Sequence, residues 1–345
     1  MRTALVTGIT GMDGTYLAQL LLSKNYKVFG TFRRASTPNF WRIMSLGLED
    51  KISLVPMDLT DSNSIINALR ISQPTEVYNM AASSYVADSF ECPLANLDIT
   101  GSAVMRLLDA IHTIDPHIKF YQSSSSEMYG NNGAPPMNEE SPMNPISPYG
   151  VAKLSAHHIV NMYRKAYSIH AVSGICFNHE APLRGLDFVT RKISNAVAKI
   201  KLGLCDNLTL GNLDAIRDWG WAPEYVNGIY LMMQQDEPDD YVLATNYGAS
   251  VREFAIEAMS RAGIDEKVLK QDKRYRRPID IDKLTGDYTK AYSVLDWEPE
   301  YNYFDVAKMM VDADLQRWKD WQDGKMFPWD AYLYPNEAKV LRRCK

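Results

Sequence analysis

The sequence predicts an α/β protein: a doubly wound parallel sheet followed by a smaller C-terminal α/β domain. Three observations carry this. Through about residue 180, short apolar runs alternate with longer amphipathic ones, the pattern of strand–helix–strand units. A glycine triplet joins the first apolar run to the first helix. The chain has 345 residues, 46% of them hydrophobic, enough for a sizeable core and one large or two medium domains.

The elements follow in order. "TALVT" (3–7) reads as a buried strand, and "TYLAQLLLSKN" (15–25) as a helix with Leu17, Leu20 and Leu21 on one face. Strands are expected at 27–32, 52–58, 76–82, 119–125 and 170–177. Helices are expected at 62–72, with Asp61 placed as its cap, at 101–114 and at 149–167. The second half is less regular and shows no repeat. The expected division is 1–180, then 181–325 with some chain returning to the first domain, then an unassigned tail at 326–345.

Bulk properties narrow the function. A net charge of −5 argues against a nucleic-acid binder. Cys92, Cys176, Cys205 and Cys344 are scattered, with no CxxC pair, and no HExxH is present, so no metal site is expected. No apolar run approaches 18 residues and the N-terminus does not read as a signal peptide. The expected setting is the cytoplasm, with no membrane contact.

"VTGITGMDGTYL" places Gly8, Gly11 and Gly14 at GxxGxxG spacing between a strand and a helix. Such a loop lets backbone approach a pyrophosphate at a helix N-terminus, as in Rossmann-type dinucleotide domains. On its own the triplet would also suit an ordinary turn. After the second expected strand, "GTFRRAS" offers Arg33 and Arg34 where an acid commonly meets the ribose of NAD. Two guanidiniums suit a 2′-phosphate, so NADP is favoured. Asp58 follows the third strand, where it can accept from an adenine amino group, and "NMAASS" (79–84) supplies small residues for close passage of a cofactor.

Tyr149 and Lys153 stand four apart and so share a helix face. An ammonium beside a phenol lowers the phenol's pKa, fitting Tyr149 to take a proton from an alcohol as hydride leaves its carbon. The spacing alone is common on exposed helices; its place after the fifth strand gives it weight. "YQSSSSEMYG" (121–130) reads either as a polar junction or as a strand end that offers Ser125 as a hydrogen-bonding hydroxyl and Glu127 as a second base.

With these motifs in hand, the chain resembles the extended short-chain dehydrogenase/reductases that act on nucleotide sugars. Within them it is similar to the GDP-mannose 4,6-dehydratase family. The resemblance covers residues 1 to about 320 and rests on "LVTGITGMDGTYLAQLLL", "FYQSSSSEMYG", "SPYGVAKL", "GICFNHEAPLRG", "LGNLDAIRDWG" and "RRPIDIDKLTGD". It implies a hydro-lyase that oxidises carbon 4 of GDP-mannose, eliminates water across carbons 5 and 6 and reduces carbon 6, for deoxyhexose biosynthesis. The implied cofactor is tightly bound, recycled NADP. The implied catalytic set is Ser125, Glu127, Tyr149 and Lys153. The implied cofactor contacts are Gly8, Ile9, Thr10, Gly11, Met12, Asp13 and Gly14; Arg33, Arg34, Ala35 and Ser36; Asp58 and Leu59; Met80, Ala81, Ala82, Ser83 and Ser84; and Tyr149, Lys153, His179 and Arg184. The implied GDP-sugar contacts are Ser84, Ser125, Ser126, Glu127, Tyr149, Asn178, Val189, Lys192, Gly211, Arg217, Arg277 and Asp280. Asp280 would hold a substrate hydroxyl or a base edge. The resemblance also implies a homo-oligomer, a dimer of dimers.

Several positions depart from the family pattern. Met12 stands where glutamine is usual, Ser125 where threonine is, and "ASSYV" where "AQSHV" is. These leave open a GDP-manno-heptose as substrate, or a reductase or epimerase acting on a 4-keto-6-deoxy sugar.

Overall fold

A computed structural model describes residues 1–37, 39–131 and 135–329. Its strands are β1 (Thr3–Thr7), β2 (Lys27–Phe32), β3 (Ser53–Pro56), β4 (Glu76–Asn79), β5 (Lys119–Ser125), β6 (Ala171–Cys176), β7 (Asn178–Glu180), β8 (Leu208–Leu210), β9 (Ile216–Trp221), β10 (Asp240–Leu243), β11 (Gly248–Ser250), β12 (Leu269–Gln271) and β13 (Lys283–Leu284). Seven of them form one parallel sheet in the order β10-β6-β5-β4-β1-β2-β3. The order reverses between β1 and β4, which pair with Thr7 opposite Asn79. That switch point opens a crevice at the carboxyl ends of the strands.

Side-chain alternation explains why both faces of the sheet are covered. Ala4 and Val6 of β1 pack with Leu17, Leu21, Tyr225 and Ile229 on one face. Leu5 points the other way, to Val77, Leu107, Phe120 and Val160. A strand buried on both faces reads as a continuous apolar run, which is why "TALVT" shows no polar alternation.

The second lobe is built around β9, which pairs with β7, β11 and β13, and around a separate β8–β12 pair. Helices Val189–Lys201, Val251–Ala262 and Tyr303–Gln322 pack there around Trp219 and Phe254. Arg191 and Asp314 join two of these helices as a buried pair, each side chain 1% exposed. Asp314 also accepts from Ser194 (2.6 Å) and Arg317 (2.9 Å), and Arg191 donates to the carbonyl of Arg184 at 2.6 Å. Removing one member strands a charge in the interior. Asp314→Ala is expected to destabilise the fold by about 3–5 kcal/mol, read by urea unfolding, and a loss under 1 kcal/mol would contradict that burial.

The expected elements shift in instructive ways. The first helix runs Met12–Ser23 rather than 15–25, so it begins inside the glycine loop. The helix expected at 101–114 is entered through a π-helical turn at Leu97–Ser102. β10, in the second half, is the sheet's outer strand beside β6; the carboxylate of Glu139 accepts the Val242 N–H at 2.7 Å, covering part of that open edge. Of the tail expected at 326–345, Phe327 is buried against Trp318 and Trp321. Trp329 packs edge-on to Trp41, and residues 330–345 lie outside the described residues. Among the described residues no helix is long and apolar enough to cross a membrane.

Candidate active site

One cleft of about 1150 Å³ runs along the carboxyl ends of the sheet and into the second lobe. That exceeds the usual span for a single small ligand and suits two. At one end, the loop between β1 and the first helix folds on Gly8, whose φ is +64°; a Cβ there would sit 2.8 Å from the Ala81 backbone. Gly11 caps the helix without a side-chain hydrogen bond, and Gly11 through Gly14 line the cleft, so this helix N-terminus borders it. That terminus fits a dinucleotide pyrophosphate. Asp58 turns one carboxylate oxygen to Thr60 N–H (2.9 Å) and Thr60 O–H (2.8 Å), and those bonds, the backbone one first, hold its pKa down.

Beyond the loop stand the groups that can do chemistry. Ser147 caps the helix Pro148–Tyr167, accepting from Gly150 N–H at 3.0 Å, with Pro148 at its first turn. A Cβ at position 150 would meet the Glu127 carbonyl at 2.7 Å, so glycine lets this helix start against the turn that carries Glu127. The Ser125 hydroxyl, which accepts from Glu127 N–H at 3.3 Å, adjoins the Tyr149 phenol and favours its ionised form. Lys153 donates to the Ser123 carbonyl at 2.5 Å and stands 5.7 Å from the centre of the Tyr149 ring. Glu127 faces Arg277 at 3.9 Å. Arg217 donates to Asp280 (2.9 Å) and to the Ile281 carbonyl (2.8 Å).

A model of the GDP-mannose 4,6-dehydratase family matches residues 5–310. This chain belongs to the GDP-mannose 4,6-dehydratase family. It is 45% identical over 326 residues to a GDP-mannose 4,6-dehydratase of Arabidopsis thaliana, covering 91% of this chain and 87% of that one. It is 46% identical over 341 residues to one of Sinorhizobium fredii, covering 91% and 97%. Its fold matches a solved dTDP-glucose 4,6-dehydratase of Bacillus anthracis, a complex with NAD, with a TM-score of 0.82 at 21% identity, covering 94% of this chain and all of that one.

In this member of the dehydratase family the cleft wall gathers most of the residues singled out from sequence, including Ser125, Glu127, Tyr149, Lys153, His179 and Arg184. Four fall outside that wall. Ile9 is fully buried and packs close to Gly30, so only its backbone adjoins the loop. Arg34, Ala35 and Ser36 lie exposed beyond β2, while Arg33 alone of that run lines the cleft. Asp280 was expected to hold a substrate hydroxyl or base edge. In the structure its oxygens accept from Arg217 and from Asn212 at 3.1 Å, so it first fixes Arg217.

The electrostatics differ from the sequence expectation at Tyr149. Burial, the largest influence, pushes its phenol up; the Ser125 hydroxyl and Arg184 act against this, while Glu127 and Asp13 add to it. Burial pushes the Lys153 ammonium down, to about 8.

Two features escaped sequence reasoning. Arg42 donates to the Thr10 carbonyl (3.0 Å) and the Leu183 carbonyl (2.7 Å), tying the glycine loop to the second lobe; no motif marks it. Asp13 and His179 form an ion pair at 3.2 Å, with the His179 ring stacked on Tyr225 at 4.6 Å. Burial works against both charges, yet the pairing lowers the Asp13 pKa and raises that of His179. The pair therefore stabilises most between the two ordinary values of 3.8 and 6.5. Its contribution is lost as pH falls through the depressed Asp13 value, and lost again as pH rises through the raised His179 value. Melting temperature against pH should show both limbs, and Asp13→Asn should flatten them; an unchanged profile in that variant would exclude the pair as their source.

Proposed function

We propose that this chain converts GDP-mannose to GDP-4-keto-6-deoxymannose, with bound, recycled NADP. The observation that carries the reading is Glu127, a carboxylate in the same cleft wall as Ser125, Tyr149 and Lys153. A reductase or 4-epimerase needs only the tyrosine; elimination needs a second base.

Bound at the glycine loop of Gly8, Gly11 and Gly14, NADP would supply the hydride acceptor for carbon 4 and the hydride donor for carbon 6. The buried phenol of Tyr149 would be brought back down toward working range by a cationic nicotinamide beside it. Tyr149 takes the proton of the 4-hydroxyl, with the Ser125 hydroxyl holding the oxygen. The resulting ketone acidifies carbon 5, and Glu127 removes that proton as the carbon-6 hydroxyl departs as water. The protons taken from oxygen 4 and carbon 5 balance the one that leaves in water and the one restored at carbon 5. Lys192, Arg217 and Arg277 line the other end of the cleft and give a net-acidic protein a local cationic wall for the diphosphate. In this reading residues 1–180 hold cofactor and catalytic set and residues 181–325 mainly hold the GDP-sugar. NADP over NAD is supported by Arg33 in the cleft wall near Asp58.

The test is to mix purified protein with GDP-mannose and catalytic NADP+ or NAD+. A product lighter by one water, with no net NADPH, is the expected result. Stoichiometric NADPH consumption on a 4-keto sugar, with no water lost from GDP-mannose, would favour a reductase instead.

We also propose a homo-oligomer, a dimer of dimers. Leu94, Leu97 and Val151 expose apolar side chains along one shallow groove, and the run Arg34–Ser36 is exposed just beyond Arg33 of the cleft wall. A stable monomer by light scattering would refute this.

A further inference from the structure

The helix Pro148–Tyr167 carries polar residues down the side it turns to the sheet. Tyr149, Lys153, His157 and Asn161 recur every fourth residue, where apolar side chains would ordinarily cover the strands. Tyr149, Lys153 and His157 each engage a different residue of the serine run. Tyr149 adjoins the Ser125 hydroxyl, Lys153 donates to the Ser123 carbonyl, and His157 Nδ1 lies 3.3 Å from Ser124 Oγ.

The imidazole is itself held from behind. His157 Nε2 is 3.6 Å from Asp240 Oδ2 and 3.3 Å from Asn161 Nδ2. Asp240, at the start of β10, accepts from Asn161 at 3.1 Å and from Arg164 at 2.6 Å. His157 is 6% exposed and does not line the cleft, whereas Ser124, 2% exposed, belongs to the cleft wall, so the imidazole reaches the site only through Ser124. Burial lowers the His157 pKa, with His158 and Arg164 acting the same way against Asp240, which favours the neutral ring.

We propose that His157 is a positioning residue for the active site: through Ser124 it locks β5 to the catalytic helix and so sets Lys153 on Ser123 and Tyr149 on Ser125. Ser124 lies between those two residues on a strand with little freedom. A shift at Ser124 therefore moves both catalytic contacts together. Misplacement by about 1 Å is enough to cost on the order of 10²-fold in rate.

The proposal rests on the dehydratase reading, and its test includes a readout that does not. His157→Leu and Ser124→Ala should each lower kcat about 10–100-fold, with KM for GDP-mannose within about twofold of the parent. His157→Asn, whose amide reaches toward Ser124 as Nδ1 does, should recover most of that loss. The double variant His157→Leu/Ser124→Ala should be no slower than the worse single variant, because both break one link. Independently of turnover, protein labelled with ¹³C at lysine Cε should show a resonance absent in Lys153→Met and titrating near 8. In His157→Leu and Ser124→Ala that titration should move toward the ordinary 10.5. Parent-like kcat in both single variants, or an unmoved Lys153 titration, overturns the proposal. Should His157→Leu fail to fold, Ser124→Ala decides alone. Parent protein that turns over no GDP-mannose, yet shows the Lys153 shift in the variants, sinks the dehydratase reading and leaves the positioning role standing.

Discussion

Replacing Tyr149 with phenylalanine is expected to lower turnover of GDP-mannose by about 10²–10⁴-fold while the variant still binds its cofactor. The ring is nearly buried and lies beside Lys153, and phenylalanine keeps that packing. Only the hydroxyl is lost, and with it the group proposed to take the first proton. Its partner Ser125 keeps a donor in Glu127 N–H, so no buried group is stranded and the cost in stability is about 1 kcal/mol. The measurement pairs kcat, followed by loss of water from the sugar, with retention of NADP after gel filtration. Parent-like turnover would remove Tyr149 from the chemistry. Lost turnover together with lost cofactor would mean that the phenol serves binding instead.

What local sequence could and could not reveal follows from the range of the interactions involved. β1 is legible because a strand buried on both faces must be apolar throughout. The helix after it begins three residues earlier than its apolar spacing suggests, because Met12 to Gly14 are fixed by the approach of the Gly8 and Ala81 backbones rather than by periodicity. β10 is only four residues long and pairs with β6, more than sixty residues away, and nothing near it in the chain announces that partner. Tyr149 and Lys153 are legible because helical spacing brings them together. Asp13 and His179, or Arg42 and Thr10, meet only once the two lobes have formed. The serine run is half legible: the roles proposed for Ser125 and Glu127 follow from its place at a strand end. Ser123 acts through its backbone carbonyl, which no residue type advertises.

Glu127→Gln separates two steps that Tyr149→Phe stops together. The amide keeps the size of the side chain and its approach to Arg277, but it is no base. Formation of the 6-deoxy product should fall by about 10²–10⁴-fold. Oxidation at carbon 4 should survive, because in the proposed mechanism it draws on Tyr149, Ser125 and Lys153. In a single turnover with GDP-mannose and stoichiometric NADP+, absorbance of reduced nicotinamide should therefore rise and remain, where the parent shows at most a transient. Tyr149→Phe should show no rise at all. If Glu127→Gln instead forms product at the parent rate, the carboxylate is solvated scenery, and the four-residue set reduces to the hydride-moving apparatus of an epimerase or reductase. If it neither forms product nor reduces the cofactor, Glu127 acts before elimination, and its closeness to Arg277 makes substrate placement the cause, which a raised Kd for GDP-mannose would register.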